Sequence, residues 1–163
     1  MIAFRSKISR RAARLLAAAL LAGLTAPPSW AQSGPLEDLA HFPHTTLTIH
    51  GGGDTQHFSV WVADTDARKE QGLMFVRDLP ADQGMLFTHC CSGIWMKNTY
   101  IELDILFIGA DGRIIKIARR AHPFDETTIS PGGVAEEVVE LKGGEAERRH
   151  LQVGDRVEWK QAS

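Results

Sequence analysis

The chain has 163 residues, and its 18 lysines and arginines against 20 aspartates and glutamates give a formal charge of −2. Five of the basic residues and none of the acidic ones precede residue 32, so residues 32–163 keep 13 basic and 20 acidic side chains, a formal charge of −7. Phosphate binding relies on clustered Lys and Arg, so nucleic acids and anionic membrane surfaces are not expected partners. The length of this remaining chain corresponds to one domain.

Residues 1–31 contain the three parts of a secretory signal peptide, which are a basic leader, a short apolar run and a small-residue cleavage site. The apolar run, residues 15–24, is shorter than the roughly 20 residues that span a bilayer. We therefore expect cleavage between Ala31 and Gln32, export to the periplasm or the extracellular space, and no stable membrane insertion afterwards. The pair Arg10-Arg11 also partly matches a twin-arginine signal, so the general secretory and twin-arginine routes both stay open.

Residues 32–43 contain Gly, two Pro and no clear hydrophobic period, which indicates an extended lead-in. Residues 44–160 then form a single predicted domain. Alternating apolar and polar positions, separated by Gly- and Asp-rich turns, predict short strands. The predicted strands cover about residues 44–50, 57–62, 85–87, 94–99, 101–108, 113–118, 137–142 and 153–159.

Two short helices are predicted between these strands. The first covers residues 64–72, where Asp64 or Thr65 can cap the start and Gly72 can end it. The second is a helical turn over residues 145–150. About eight short strands with one or two short helices indicate a mainly β fold, namely a compact antiparallel β-sandwich or barrel. A parallel α/β sheet would need longer helices between its strands.

Two carboxylates in apolar strands are the most unusual feature of the sequence. Asp104 lies in a strand whose Ile105 and Phe107 share the opposite face, and Glu140 lies in Val138-Val139-Glu140-Leu141. A buried carboxylate without a partner is strongly disfavoured as an anion. The interpretation that the pattern favours is a structural ion-pair cluster, with Lys97 beside Asp104 and Arg68 beside Glu140. The other is a pocket for a small polar ligand, lined by Arg68, Trp95, Lys97, Asn98, Asp104 and Glu140.

The two cysteines, Cys90 and Cys91, are adjacent. Neighbouring Cα atoms are about 3.8 Å apart, which is short for a disulfide, so we expect no bridge that staples the domain. Together with His89 they offer soft ligands for copper or zinc. The spacings typical of such metal sites are missing from the sequence, so this remains the weaker alternative.

Several short blocks resemble the signature blocks of the domain-of-unknown-function family 192. That resemblance implies a compact β-rich domain, often exported, with no established activity. The adjacent cysteines in Thr88-His89-Cys90-Cys91 depart from the usual pattern. The blocks are Gly72-Leu73-Met74, Gly84-Met85-Leu86-Phe87, Trp95-Met96-Lys97-Asn98-Thr99, Leu103-Asp104-Ile105, Asp111-Gly112, Glu140 and Val153-Gly154-Asp155.

These observations predict a non-catalytic binding or accessory module of the cell envelope, without a cofactor. Its partner would be a small polar ligand or an envelope protein, and its oligomeric state stays open. One alternative is a hydrolase-type enzyme that uses Lys97, Asp104 and Glu140, although no Gly-x-Ser-x-Gly or His-Glu-x-x-His motif is present. The other alternative is copper or zinc handling through His89-Cys90-Cys91.

Overall fold

The structure, a computed structural model, describes residues 36–51, 53–90 and 92–160. The predicted signal peptide and its cleavage site lie outside these residues, and so does Cys91. Within these ranges, no helix has both the length and the apolar character that crossing a bilayer requires.

Seven strands form one sheet in the order β5-β4-β6-β3-β2-β1-β7, and the sheet curls into a half-barrel. Two short α-helices accompany it, and a 3-10 helix, Leu39–His41, lies in the predicted lead-in. The strands are β1 (His44–Gly51), β2 (Asp54–Ala63), β3 (Gln83–Phe87), β4 (Leu103–Ile108), β5 (Ile114–Ala121), β6 (Glu137–Lys142) and β7 (Arg156–Trp159). The helices are α1 (Asp66–Gln71) and α2 (Glu145–Arg148).

The mainly β prediction is confirmed, and most strands lie close to where alternation predicts them. All neighbouring strands pair antiparallel except β2 and β3, which run parallel with α1 between them in the chain. The described residues thus form a single sheet of seven strands, where the sequence predicts a sandwich or barrel of about eight.

The predicted strand at residues 94–99 is wrong. Only Ile94 makes a bridge, to Ile129, and the rest of the segment is irregular backbone with a turn at Lys97 and Asn98. Asn98 has a φ of 53°, in the left-handed region that a strand does not use. This segment therefore leaves the sheet and lies over it, and that position gives it a part in the candidate site.

Both faces of the sheet are covered by apolar side chains, because strand alternation sends neighbouring residues to opposite sides. All six residues of β4 are buried. Leu106 and Ile108 pack in one apolar cluster with Val139, whereas Ile105 and Phe107 pack in the other. The predicted division of the β4 side chains between two faces is confirmed.

Local capping follows the sequence. The Thr65 side chain accepts a hydrogen bond from the backbone N–H of Arg68 and caps α1. Gly72 ends α1 with φ 50° and ψ −138°, a conformation that L side chains avoid. Both ends of this helix are confirmed as predicted.

Asp104 joins three elements of the fold. Its carboxylate accepts hydrogen bonds at 2.8 Å from the backbone N–H of Arg120 on β5 and at 2.8 Å from that of Ala146 in α2. The residue is fully buried, and both carboxylate oxygens are used. The predicted ion pair between Lys97 and Asp104 is therefore wrong, because backbone amides satisfy this carboxylate.

Replacing Asp104 with Asn should lower the free energy of unfolding by about 2–4 kcal/mol, because the new NH2 group would face a backbone N–H in a buried place. Urea unfolding measures the change. Asp78→Asn is the matched control, since the Asp78 side chain is 87% exposed in its ion pair with Lys142; it should change stability by less than about 0.5 kcal/mol. Equal stability of the two variants would contradict this role for Asp104.

Candidate functional site

A small cleft lies between α1, the sheet and the irregular segment at residues 93–99. Its volume is about 110 Å³. We call it the Glu140 cleft, and its walls come from residues 69–74 at the end of α1, Phe87 of β3, Gly93, Ile94, Trp95, Lys97, Thr99 and Glu140. Four separate parts of the sequence thus meet at one point over the central strands.

Glu140 lies in the middle of the sheet, on strand β6 between β3 and β4. The register places it opposite Met85 on one side and Ile105 on the other. Only 4% of the residue is exposed, and its Oε2 has no hydrogen-bond partner among the described residues. Burial therefore raises the pKa of the Glu140 carboxyl to about 8. At neutral pH the group is mostly a neutral acid.

Gly72 leaves room beside this carboxyl. A Cβ at this position would lie 3.3 Å from Cζ of Phe87 and 4.0 Å from Oε2 of Glu140. The glycine that ends α1 for conformational reasons therefore also keeps one wall of the cleft thin. Helix termination and cleft shape depend on the same residue.

Two lysines line the cleft. The Nζ atom of Lys97 lies 4.9 Å from the ring centroid of Trp95, a cation–π contact. The Nζ atom of Lys69 donates to the backbone carbonyl of His89 at 3.4 Å. Across the described ranges, neither lysine is within ion-pair distance of a carboxylate. Trp95 is 43% exposed and forms part of an accessible wall.

Asn98 holds the backbone next to the cleft and does not line it. Its backbone carbonyl accepts a hydrogen bond from the N–H of Phe75 at 2.8 Å, and its side-chain amide donates to Sδ of Met74 at 3.8 Å. These contacts fasten the turn that carries Lys97 to the chain that follows α1. Asn98 therefore acts by positioning, and its side chain is not part of the cleft wall.

Arg68 lies outside the cleft. It pairs with Glu37 at 2.7 Å and with Asp64 at 2.8 Å, and its guanidinium lies 5.1 Å from the ring centroid of Phe42. These contacts attach the lead-in to α1. The predicted pair between Arg68 and Glu140 is wrong, and with it the interpretation of the carboxylates as one ion-pair cluster.

The structure brings together three of the six predicted site residues, Trp95, Lys97 and Glu140. Asp104 precedes Ile105, which pairs with Glu140, so the two carboxylates lie on opposite faces of the sheet. The sequence interpretation missed Lys69, Gly72 and Phe87 as cleft residues. Gly72 and Phe87 do belong to blocks of the family resemblance, which was the one available signal for them.

In the segment His89-Cys90-Cys91, Cys90 is disulfide-bonded. The short distance between adjacent cysteines did not predict this bond. A disulfide sulfur is not the thiolate that binds copper or zinc. Over the part of the chain that the structure describes, no group of three or more His, Cys, Asp or Glu side chains is placed to hold a metal ion.

Comparison with known proteins extends over most of the chain. The family model DUF192, described as an uncharacterized ACR, matches residues 47–159. The chain belongs to the DUF192 family. No curated protein matches it.

Two solved structures are similar to this DUF192 protein. A protein of unknown function from Novosphingobium aromaticivorans DSM 12444 is 33% identical with a TM-score of 0.72, and the match covers 82% of this chain and 99% of that one. A proposed transcription regulator from Sinorhizobium meliloti 1021 is 35% identical with a TM-score of 0.69, over 72% of this chain and 95% of that one. The fold of this chain is thus shared by solved structures.

The sequence blocks that resemble DUF192 fall into two groups in the structure. One group meets at the Glu140 cleft: Gly72-Leu73-Met74, Phe87, the segment from Trp95 to Thr99, and Glu140. The other group holds the fold: Asp104 through its backbone contacts, and Asp155, whose carboxylate accepts from the backbone N–H of Gln152 at 2.8 Å. The cleft is therefore where residues from four of these blocks come together.

Replacing Glu140 with Gln should raise the free energy of unfolding at pH 8 and flatten its dependence on pH. In the folded protein the pKa of Glu140 is about 8, above its ordinary value of 4.5. Between these values the folded chain holds a proton that the unfolded chain has released, so the stability of the wild type falls as pH rises. Glutamine is neutral throughout and removes this fall, whose slope approaches about 1.4 kcal/mol per pH unit.

Urea unfolding at pH 5, 6.5 and 8 measures the effect. Glu126→Gln is the matched control because Glu126 is exposed, and it should keep the slope of the wild type. The same slope in the wild type and in Glu140→Gln would contradict a buried, neutral Glu140.

Proposed function

We propose that this DUF192 protein is an exported, non-catalytic binding module of the cell envelope, which takes a small polar ligand in the Glu140 cleft. The observation that carries the proposal is the carboxyl of Glu140, nearly fully buried, with one oxygen unpartnered among the described residues and facing a cleft. A buried polar group without a hydrogen bond destabilises a fold by about 1–3 kcal/mol. A ligand that bonds to this carboxyl would offset that loss.

The size of the cleft limits the ligand. Its volume of about 110 Å³ is small beside the roughly 300–1,000 Å³ of drug-sized ligand pockets. The ligand would therefore have only a few heavy atoms, or would insert only one end group. Trp95 and Phe87 supply apolar walls, and the lysines and Glu140 supply the polar contacts.

Binding is favoured over the hydrolase alternative that uses Lys97, Asp104 and Glu140. That mechanism needs its two carboxylates in one active site, where they flank the bond that is cleaved at a separation of about 5–10 Å. Asp104 instead faces the other side of the sheet, with both oxygens bonded to backbone amides. The acid–base pair of the alternative is thus incomplete.

Two features of the chain favour export. Residues 1–31 have the composition of a signal peptide. Cys90 is disulfide-bonded, and disulfides persist mainly in oxidising compartments such as the periplasm.

N-terminal sequencing of the protein recovered from the periplasm of a Gram-negative host should begin at Gln32. Leu20→Arg interrupts the apolar run of the leader and should leave the full-length chain in the cytoplasm. A wild-type chain that keeps residues 1–31 and stays in the cytoplasm would contradict export.

A thermal-shift screen of small polar compounds should find ligands that raise the Tm of the wild type, since a ligand at 100 times its Kd stabilises by about 2.7 kcal/mol. Such ligands should also change the fluorescence of the protein through Trp95. Trp95→Phe should lose the fluorescence response, whereas Trp159→Phe, on the distant strand β7, should keep it. Mass spectrometry should recover the ligand unchanged, and a converted product would overturn the non-catalytic assignment.

A further inference from the structure

We infer that the ligand of the Glu140 cleft is a small carboxylate, or the carboxylate end of a larger molecule. This inference rests on the proposed function, because it names the chemical class that the same cleft would bind. Three features of the cleft point to that class: the charges that line it, the hydrogen-bonding capacity of Glu140, and its shape.

The charges of the cleft favour an anion. Lys69 and Lys97 both line it, and within the described ranges neither is in an ion pair. Glu70 also lines the cleft and carries the opposite charge. With Glu140 neutral, two positive groups face one negative group, so the balance repels a cation and attracts an anion.

Glu140 complements a carboxylate when it is protonated. Its burial against Met85 and Ile105 favours the neutral acid, and the pKa of about 8 keeps the proton on at neutral pH. The O–H group can then donate to a ligand oxygen, and O–H···O⁻ hydrogen bonds are among the stronger ones. A cationic ligand would instead need Glu140 to lose its proton.

The shape of the cleft fits a short carboxylate. Gly72 leaves space beside the carboxyl of Glu140, and Phe87 and Trp95 form apolar walls on which an alkyl group can lie. A molecule with a short apolar part and one carboxylate would place the apolar part on Phe87 and Trp95 and the carboxylate beside Glu140.

The test uses three probes of the same shape and different charge: acetate, acetamide and acetamidinium. Each is titrated into the folded protein from pH 6 to pH 9, and backbone amide shifts in an NMR spectrum report binding. Acetate should bind more tightly than the other two at pH 6–7, with shifts at residues 69–74 and 93–99. Its affinity should fall about tenfold between pH 7 and pH 9, because Glu140 then loses its proton.

Three variants sharpen the test. Glu140→Gln keeps an N–H donor, so it should still bind acetate and lose the pH dependence. Lys97→Met should weaken acetate binding about tenfold at every pH. Lys142→Met is the matched control, since Lys142 pairs with Asp78 and does not line the cleft, and it should bind acetate as the wild type does.

The outcomes separate the two proposals. In one contrary outcome, acetamidinium binds most tightly, with an affinity that rises with pH and is lost in Glu140→Gln. That result would overturn the inference that the ligand is a carboxylate, but the cleft would still be a ligand-binding site. If acetamide binds most tightly at the cleft, the carboxylate inference is overturned and the ligand-binding function is kept. If no probe shifts the cleft residues at any pH, the carboxylate inference and the ligand-binding function are both overturned.

Discussion

The structure depends on one constraint, which is a carboxyl group held in the middle of an apolar sheet with one oxygen unpartnered in the described part of the chain. Glu140 lies on the interior strand β6, between Met85 and Ile105 on the neighbouring strands. Its neighbours exclude water, and no cation of the described residues lies within ion-pair distance of it, so the group stays neutral at physiological pH. The elements around it form the cleft: Gly72 stops α1 short of the carboxyl, and the turn at Asn98 carries Lys97 and Trp95 over the sheet.

Asp104 and Glu140 show that strand register determines which hydrogen-bond partners a buried carboxyl group meets. Both carboxylates interrupt strongly apolar strands, and neighbouring strands β4 and β6 carry them. Asp104 faces the side where β5 and α2 present two backbone N–H groups, so it joins the elements of the fold. Glu140 faces the other side, where none of the described residues donates a hydrogen bond to its Oε2. A group that destabilises the fold and lines an open cleft is typical of a functional site, because function tends to be retained at the expense of stability.

The sequence predicts much of the fold because alternation and capping are local properties. The hairpin of β1 and β2, the helix that Thr65 caps and Gly72 ends, and the division of the β4 side chains could all be predicted. The segment at residues 94–99 could not, since its apolar run has no clean period and the left-handed backbone at Asn98 is a tertiary feature. The parallel pairing of β2 with β3 is likewise non-local.

The site could be predicted only in part, for the same reason. The sequence identifies carboxylates that need a partner, but the partner depends on which strands are neighbours and which face each residue occupies. The sequence therefore predicts ion pairs of Lys97 with Asp104 and of Arg68 with Glu140. In the structure Asp104 accepts hydrogen bonds from two backbone amides, and Arg68 pairs with Glu37 and Asp64. Trp95, Lys97 and Glu140 do meet, because they lie on the same side of the sheet.

The most direct test of the central claim is a titration of the Glu140 side-chain carboxyl carbon by ¹³C NMR, with Glu140→Gln used to assign its resonance. A neutral acid in the cleft predicts a midpoint near pH 8 and a protonated carboxyl at pH 7. A midpoint near the ordinary value of 4.5 would show an ionised, solvated or paired carboxylate, and would contradict the buried neutral acid on which the cleft chemistry rests.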